Sequence, residues 1–185
     1  MISMNSYQVM WIVALALTLL AGWTDWRTRK IPNWLTVSGF LAGVIMNFVL
    51  WGWHNVNWHG GKASLEGAGL GLAVFLPFVL LRALGAGDWK LMGAVGAILG
   101  PALLVLIIFG SIFVAGIMAV IEVIRSGRIK ETARNLVVLV HGFVTFGFRS
   151  RPNITLDNPG LMKIPFGVAV ALATVICYCA ALWRS

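Results

Sequence analysis

Only 6 acidic residues occur in this chain of 185, and two of them repeat one local pattern, Asp25-Trp26-Arg27 and Asp88-Trp89-Lys90. Each follows a long apolar run. A carboxylate beside hydrocarbon costs about 2.5 to 3.5 kcal/mol at the centre of a helix and less near the interface, so it marks a functional candidate by default. Two carboxylates within reach of one another can share a proton, do acid–base chemistry or carry protons. The plainer alternative is that each pairs with a neighbouring cation at the membrane surface. Gly85 and Gly87 lack side chains just before Asp88, which permits unusual backbone angles and close approach of an extended substrate. An ordinary loop competes with that reading, since the chain has 21 glycines. Beyond Asp25, Ile31-Pro32-Asn33 ends the loop, with Pro32 suited to the first turn of the following helix.

The elements that carry these residues follow from composition. Hydrophobic residues make up 59% of the chain and charged residues 11%, with a mean hydropathy of +0.90. That balance cannot clothe a water-soluble surface, and apolar runs long enough to cross about 30 Å of hydrocarbon recur along the sequence. The runs are continuous rather than alternating, which selects helices over barrel strands. An all-α polytopic membrane protein with about six transmembrane helices is expected, at 7–24, 34–52, 65–84, 89–100, 102–124 and 164–183. The fourth and fifth divide at Gly100-Pro101, a helix-breaking pair inside a charge-free run over 91–121. One tilted helix through that region is the rival reading. The first run, 7–23, has no Lys or Arg before it and is too long for a signal core, so it reads as a retained helix. Residues 135–148 are apolar but short of the roughly 20 residues a crossing needs. Basic residues flank both ends, so an interfacial or re-entrant helix on the cytoplasmic face is expected there.

With the amino terminus outside, the loops after the first, third and fifth spans are cytoplasmic and collect all of the 14 basic residues except Lys62 and Arg184. The positive-inside rule supports this orientation. Both Asp25 and Asp88 then lie at the cytoplasmic face, two crossings apart, where helix packing can bring them together. The net charge of +8 belongs to these helix flanks and to anionic lipid headgroups; no basic groove with interleaved aromatics points to nucleic acid. Cys177 and Cys179 lie in the last apolar run without metal-ligand spacing and read as packing residues. His54 and His59 lack acidic or cysteine partners nearby and read as interfacial hydrogen-bonding groups, so no metal site is expected.

Three segments taken together are specific: DWRTRKIPNWLT at 25–36, GAGDWKLMGAVG at 85–96 and KIPFGVAVAL at 163–172. The combination resembles the type IV prepilin peptidase family, membrane aspartic proteases of the GxGD class that also includes the archaeal preflagellin peptidases and, more distantly, presenilin. The resemblance runs from the first span to the last and is nearest to the short, peptidase-only branch associated with tight-adherence (Flp) pili. Longer members carry a cytoplasmic insertion with paired CxxC motifs and methylate the new amino terminus. Here the loop over 25–33 is too short for such a domain and has no cysteine, so a single membrane peptidase domain over 1–185 without methyltransferase activity is expected. Trp89 departs from the smaller aliphatic residue expected there.

The resemblance implies that Asp25 and Asp88 are the catalytic pair, with no cofactor, acting on a prepilin-like protein at the cytoplasmic face of the bacterial inner membrane. Two adjacent carboxylates suit such a reaction, because like charges in contact cannot both ionise cheaply: one stays protonated as acid while the other works as base on water. Gly85, Gly87, Lys90 and Pro32 are the candidate site-shaping or substrate-binding residues; Lys90 and Arg27 serve equally well as cations that set topology. Lys163 and the segment after it are expected to be structural. A proton-coupled transporter or channel subunit is the rival function, and it predicts carboxylates spread along a crossing path.

Overall fold

A computed structural model describes residues 4–54, 57–81, 84–127, 134 and 165–183. Five helices occupy them: α1 Met4–Thr28, α2 Asn33–Trp51, α3 Gly61–Leu80, α4 Ala86–Arg125 and α5 Phe166–Leu182. Among the described residues there is no sheet, and the first four helices are long and apolar enough to span a membrane, while α5 is a shorter apolar helix. The interfacial helix expected near 135–148 lies outside the described residues.

Helix α1 runs one turn further than its apolar run suggests, so that Asp25 is a helical residue rather than a loop residue. No glycine or proline interrupts the backbone after Trp23, and the Thr28 hydroxyl bonds the Thr24 carbonyl at 2.8 Å. The helix stops only where Arg29 takes a left-handed conformation at φ 54° and Pro32, at φ −66°, caps α2. Asp88 likewise falls inside the first turn of α4, which starts at Ala86.

Helix α4 is broken at Gly100, where φ is 76° and ψ 174°, a combination natural only to glycine. The break falls at the Gly100-Pro101 pair marked by the sequence, and it divides α4 into arms over 86–99 and 101–125. Pro101 has no N–H for the carbonyl of Ala97, and the turn also takes Ile98 out of register. Other helices supply the missing donors. The buried Asn47 amide of α2 donates to Ala97 O and Ile98 O, both at 3.0 Å, and the Ser64 hydroxyl of α3 donates to Ala97 O at 2.6 Å. Asn47 Oδ1 in turn accepts the Gly60 N–H at 3.1 Å. The arms do not continue in line, because Leu104 Cδ2 lies 2.9 Å from where a Gly96 side chain would start. Residues eight apart in a straight helix are about 12 Å apart.

Every residue over 91–100 is buried, so the first arm is the centre around which the other helices pack. Burying apolar side chains gains little against lipid tails, and close backbone packing of small residues has to hold the bundle instead. Gly67 and Gly96 meet backbone to backbone, and a Cβ at Gly43 would come within 2.7 Å of the Ala97 carbonyl carbon.

Candidate active site

Asp25 near the end of α1 and Asp88 at the start of α4 line one open cleft of about 260 Å³, with Arg29, Lys30, Ile31, Gly85, Ala86 and Gly87 as its other walls. Asp25 is only 7% exposed. Its Oδ2 accepts a 2.8 Å hydrogen bond from the backbone N–H of Gly167. Gly167 is in the first turn of α5, after the Pro165 cap, where N–H groups have no partner within their own helix and the helix dipole favours an anion. The fit is close. A Cβ on Gly167 would lie 3.0 Å from Asp25 Cβ and 3.3 Å from Ile31 Cδ1.

Asp88 is held differently. It is the third residue after the Gly85 cap of α4, and its carboxylate accepts the Gly85 backbone N–H, the reach-back made by an acid at this position of a capping box. A Cβ on Gly85 would sit 2.9 Å from Asp88 Oδ2. The other oxygen, Oδ1, is buried and has no hydrogen-bond partner among the described residues. Leaving a buried polar atom unpaired costs about 1 to 3 kcal/mol, so Asp88 is not a carboxylate settled into a structural ion pair.

The two glycines therefore act through space rather than through backbone angle. Gly85 has an ordinary extended φ of −71°, and a Cβ on Gly87 would press on Ile31 Cβ at 3.1 Å. Ile31, buried at 8% exposure, touches both the Gly87 turn beside Asp88 and the Gly167 turn beside Asp25. In the sequence it stands only as the first residue of the Ile31-Pro32-Asn33 segment that ends the loop. Pro32 fixes the chain just beyond it, and its carbonyl accepts the N–H groups of Leu35 and Thr36.

Lys90 lies outside the cleft walls, and its Nζ donates to Asn33 Oδ1 at 3.0 Å, joining α4 to the start of α2. Trp89 anchors the same turn to α3 through a 2.7 Å bond from its indole N–H to Leu72 O, which explains an aromatic where a smaller residue was expected. Arg27 lies 5.0 Å over the Trp23 ring, away from Asp25. At the other end of the bundle the His59 ring stacks on Trp51 at 4.8 Å and meets the Tyr7 edge at 5.4 Å. Burial there lowers its pKa.

Gly167 is the contact that sequence reasoning missed. The available signal was Pro165 followed two residues later by glycine, a helix start free of side chains, but nothing local ties it to an aspartate 142 positions earlier.

Comparison with known proteins bears on this arrangement. The family model for the type IV leader peptidase family matches residues 12–120, a range that holds both aspartates and every wall of the cleft. No curated protein and no solved structure gives a match. With more than half of the chain matched and a carboxylate pair at the mouth of a helical membrane bundle, the protein belongs to the type IV leader peptidase family.

Proposed function

We propose that the protein is a membrane aspartic endopeptidase that cuts the leader from type IV prepilin-like precursors at the cytoplasmic face of the bacterial inner membrane. The observation that carries this reading is that Asp25 and Asp88, from separate helices, line one water-accessible cleft. Family membership supports protease chemistry. The cleft offers no hydroxyl or thiol nucleophile among its walls, and a carboxylate pair needs none: one member takes a proton from water as it attacks the scissile carbonyl, and the other protonates the carbonyl oxygen. Gly85, Gly87 and Pro32 shape the cleft, and Lys90 holds α2 against α4.

The chain in this reading crosses the membrane six times, counting the two arms of α4 separately, and forms one peptidase domain over 1–185. The short segment 29–32 that joins α1 to α2 leaves no room there for a methyltransferase insertion, which supports a peptidase-only reading. Cations Arg29 and Lys30 beside the cleft suit the cytoplasmic side and anionic lipid. A prepilin substrate fits this placement, since its apolar helix can remain in lipid while its leader reaches the aspartates. The transporter alternative calls for carboxylates along a crossing path, whereas Asp25 and Asp88 share one cleft at one end of the bundle.

The test is co-expression of a pilin precursor with wild type, Asp25→Ala or Asp88→Ala, followed by its size on a gel. Wild type shortens the precursor and neither variant does. Full leader removal by either variant would sink the dyad mechanism, and Asp→Asn at each site asks whether ionisable carboxylates are required.

A further inference from the structure

The aspartates differ in their partners. Asp25 Oδ2 receives an N–H from the first turn of α5, and Arg29 and Lys30 line the cleft beside it. Asp88 receives the Gly85 N–H but keeps one buried oxygen without a partner among the described residues. A donor aimed at a carboxylate favours its ionised form, and an unpaired buried oxygen favours the protonated one. The charged groups facing the pair are Arg29 and Lys30 from the end of α1 and its loop; the described start of α5, Pro165-Phe166-Gly167, has none. Lys90 is engaged with Asn33.

We propose that the start of α5 makes the pair unequal, with Gly167 as a positioning residue whose backbone N–H holds Asp25 as the base while Asp88 carries the shared proton. This rests on the peptidase reading above. It adds an element outside the matched range 12–120 to the site. In the forward step the Asp25 carboxylate takes a proton from water, the water oxygen bonds to the scissile carbonyl carbon, and Asp88 gives its proton to the carbonyl oxygen. In the second step Asp25 passes its new proton to the leaving nitrogen and the C–N bond breaks. Asp88 takes a proton back from one hydroxyl of the intermediate, so an acid and an amine leave and the pair returns to its starting state.

The experiment uses the purified full chain in detergent with a prepilin-like peptide, and reads kcat/KM against pH for wild type, Gly167→Ala and Gly167→Pro. Alanine keeps the N–H and adds a Cβ 3.0 Å from Asp25 Cβ; proline adds bulk and removes the N–H. The expected result is that alanine lowers the rate with the acid limb in place. Proline also moves that limb about one pH unit higher, a tenfold change in the ionisation equilibrium. An unmoved limb in a folded, active proline variant overturns the proposal.

A second arm is independent of whether the proline variant folds. Asp25→Asn removes the base outright, whereas Asp88→Asn retains an N–H donor, so residual cleavage is at least about tenfold higher in Asp88→Asn, the lower end of what an acid or base contributes being larger still. Equal loss in the two, or the reverse order, overturns the assignment. Cleavage by Asp25→Ala would instead remove the peptidase reading itself, which keeps the two failures apart.

Discussion

The two ends of the central arm of α4 solve opposite problems. At the Gly100 end a proline and a left-handed glycine strip two carbonyls of their helical donors, and Asn47 and Ser64 replace those donors from neighbouring helices. At the Asp88 end a carboxyl oxygen is buried and left without a partner among the described residues. One end is polar and satisfied, the other polar and unsatisfied. The carbonyls near Gly100 lie deep in the bundle, where no water replaces a lost donor, whereas Asp88 borders the open cleft, and that difference separates a structural device from a candidate site.

The contrast can be broken most sharply with the aspartates. Asp25→Ala and Asp88→Ala are expected to cut leader removal by about 10²- to 10⁴-fold, the range for losing a positioned acid or base, while thermal unfolding in detergent stays within about 1 kcal/mol of wild type or shifts upward. A large loss of stability with either would show that the pair is structural. Asn47→Leu should do the reverse. Removing the amide leaves the Ile98 carbonyl and the Gly60 N–H without their Asn47 partner and Ala97 with Ser64 alone, and stability should fall by about 2 kcal/mol, near the upper end for polar contacts between membrane helices. Cleavage measured well below the new midpoint should be close to normal.

Lys90→Met tests a contact that belongs to neither end. It removes one exposed bond to Asn33 and should cost under about 1 kcal/mol and only a few-fold in cleavage; a collapse of activity would place Lys90 on the substrate. The smallest effect is at His59. Its folded pKa lies below the unfolded value because burial disfavours the charged ring. The unfolded chain therefore binds more protons, and stability that is complete above the unfolded pKa of about 6.5 falls as pH drops below it. A His59→Phe variant should lose that dependence in thermal melts between neutral and mildly acidic pH.

How much of this was legible depended on the range of the signal. Gly100-Pro101 declared its break locally, because proline lacks a donor and glycine admits the left-handed turn wherever they occur. The two aspartates stood out because charge is rare in hydrocarbon. The compensating residues gave no such notice. Asn47 is a single amide in an apolar run, and its value comes from carbonyls 50 and 51 positions away. Gly167 looked like helix-start punctuation until α5 was placed against α1. The glycines before Asp88 were read as sources of unusual backbone angles and of room for a substrate; Gly85 keeps an ordinary angle, and part of the room goes to Ile31 and to the carboxylate itself.

The shortness of the central arm has a consequence for the lipid around it. Asp88 precedes Gly100 by 12 residues (100 − 88), a rise of about 18 Å, and Gly100 packs against Trp58 in the connection between α2 and α3. A typical hydrocarbon core is about 30 Å thick. Either the bilayer thins beside this arm or the two carboxylates lie recessed by roughly the difference, with Arg29 and Lys30 lining the cleft beside them. Acyl-chain length thereby becomes a variable of the cleft: thinner membranes bring the carboxylates up to the headgroups, and thicker ones draw them under.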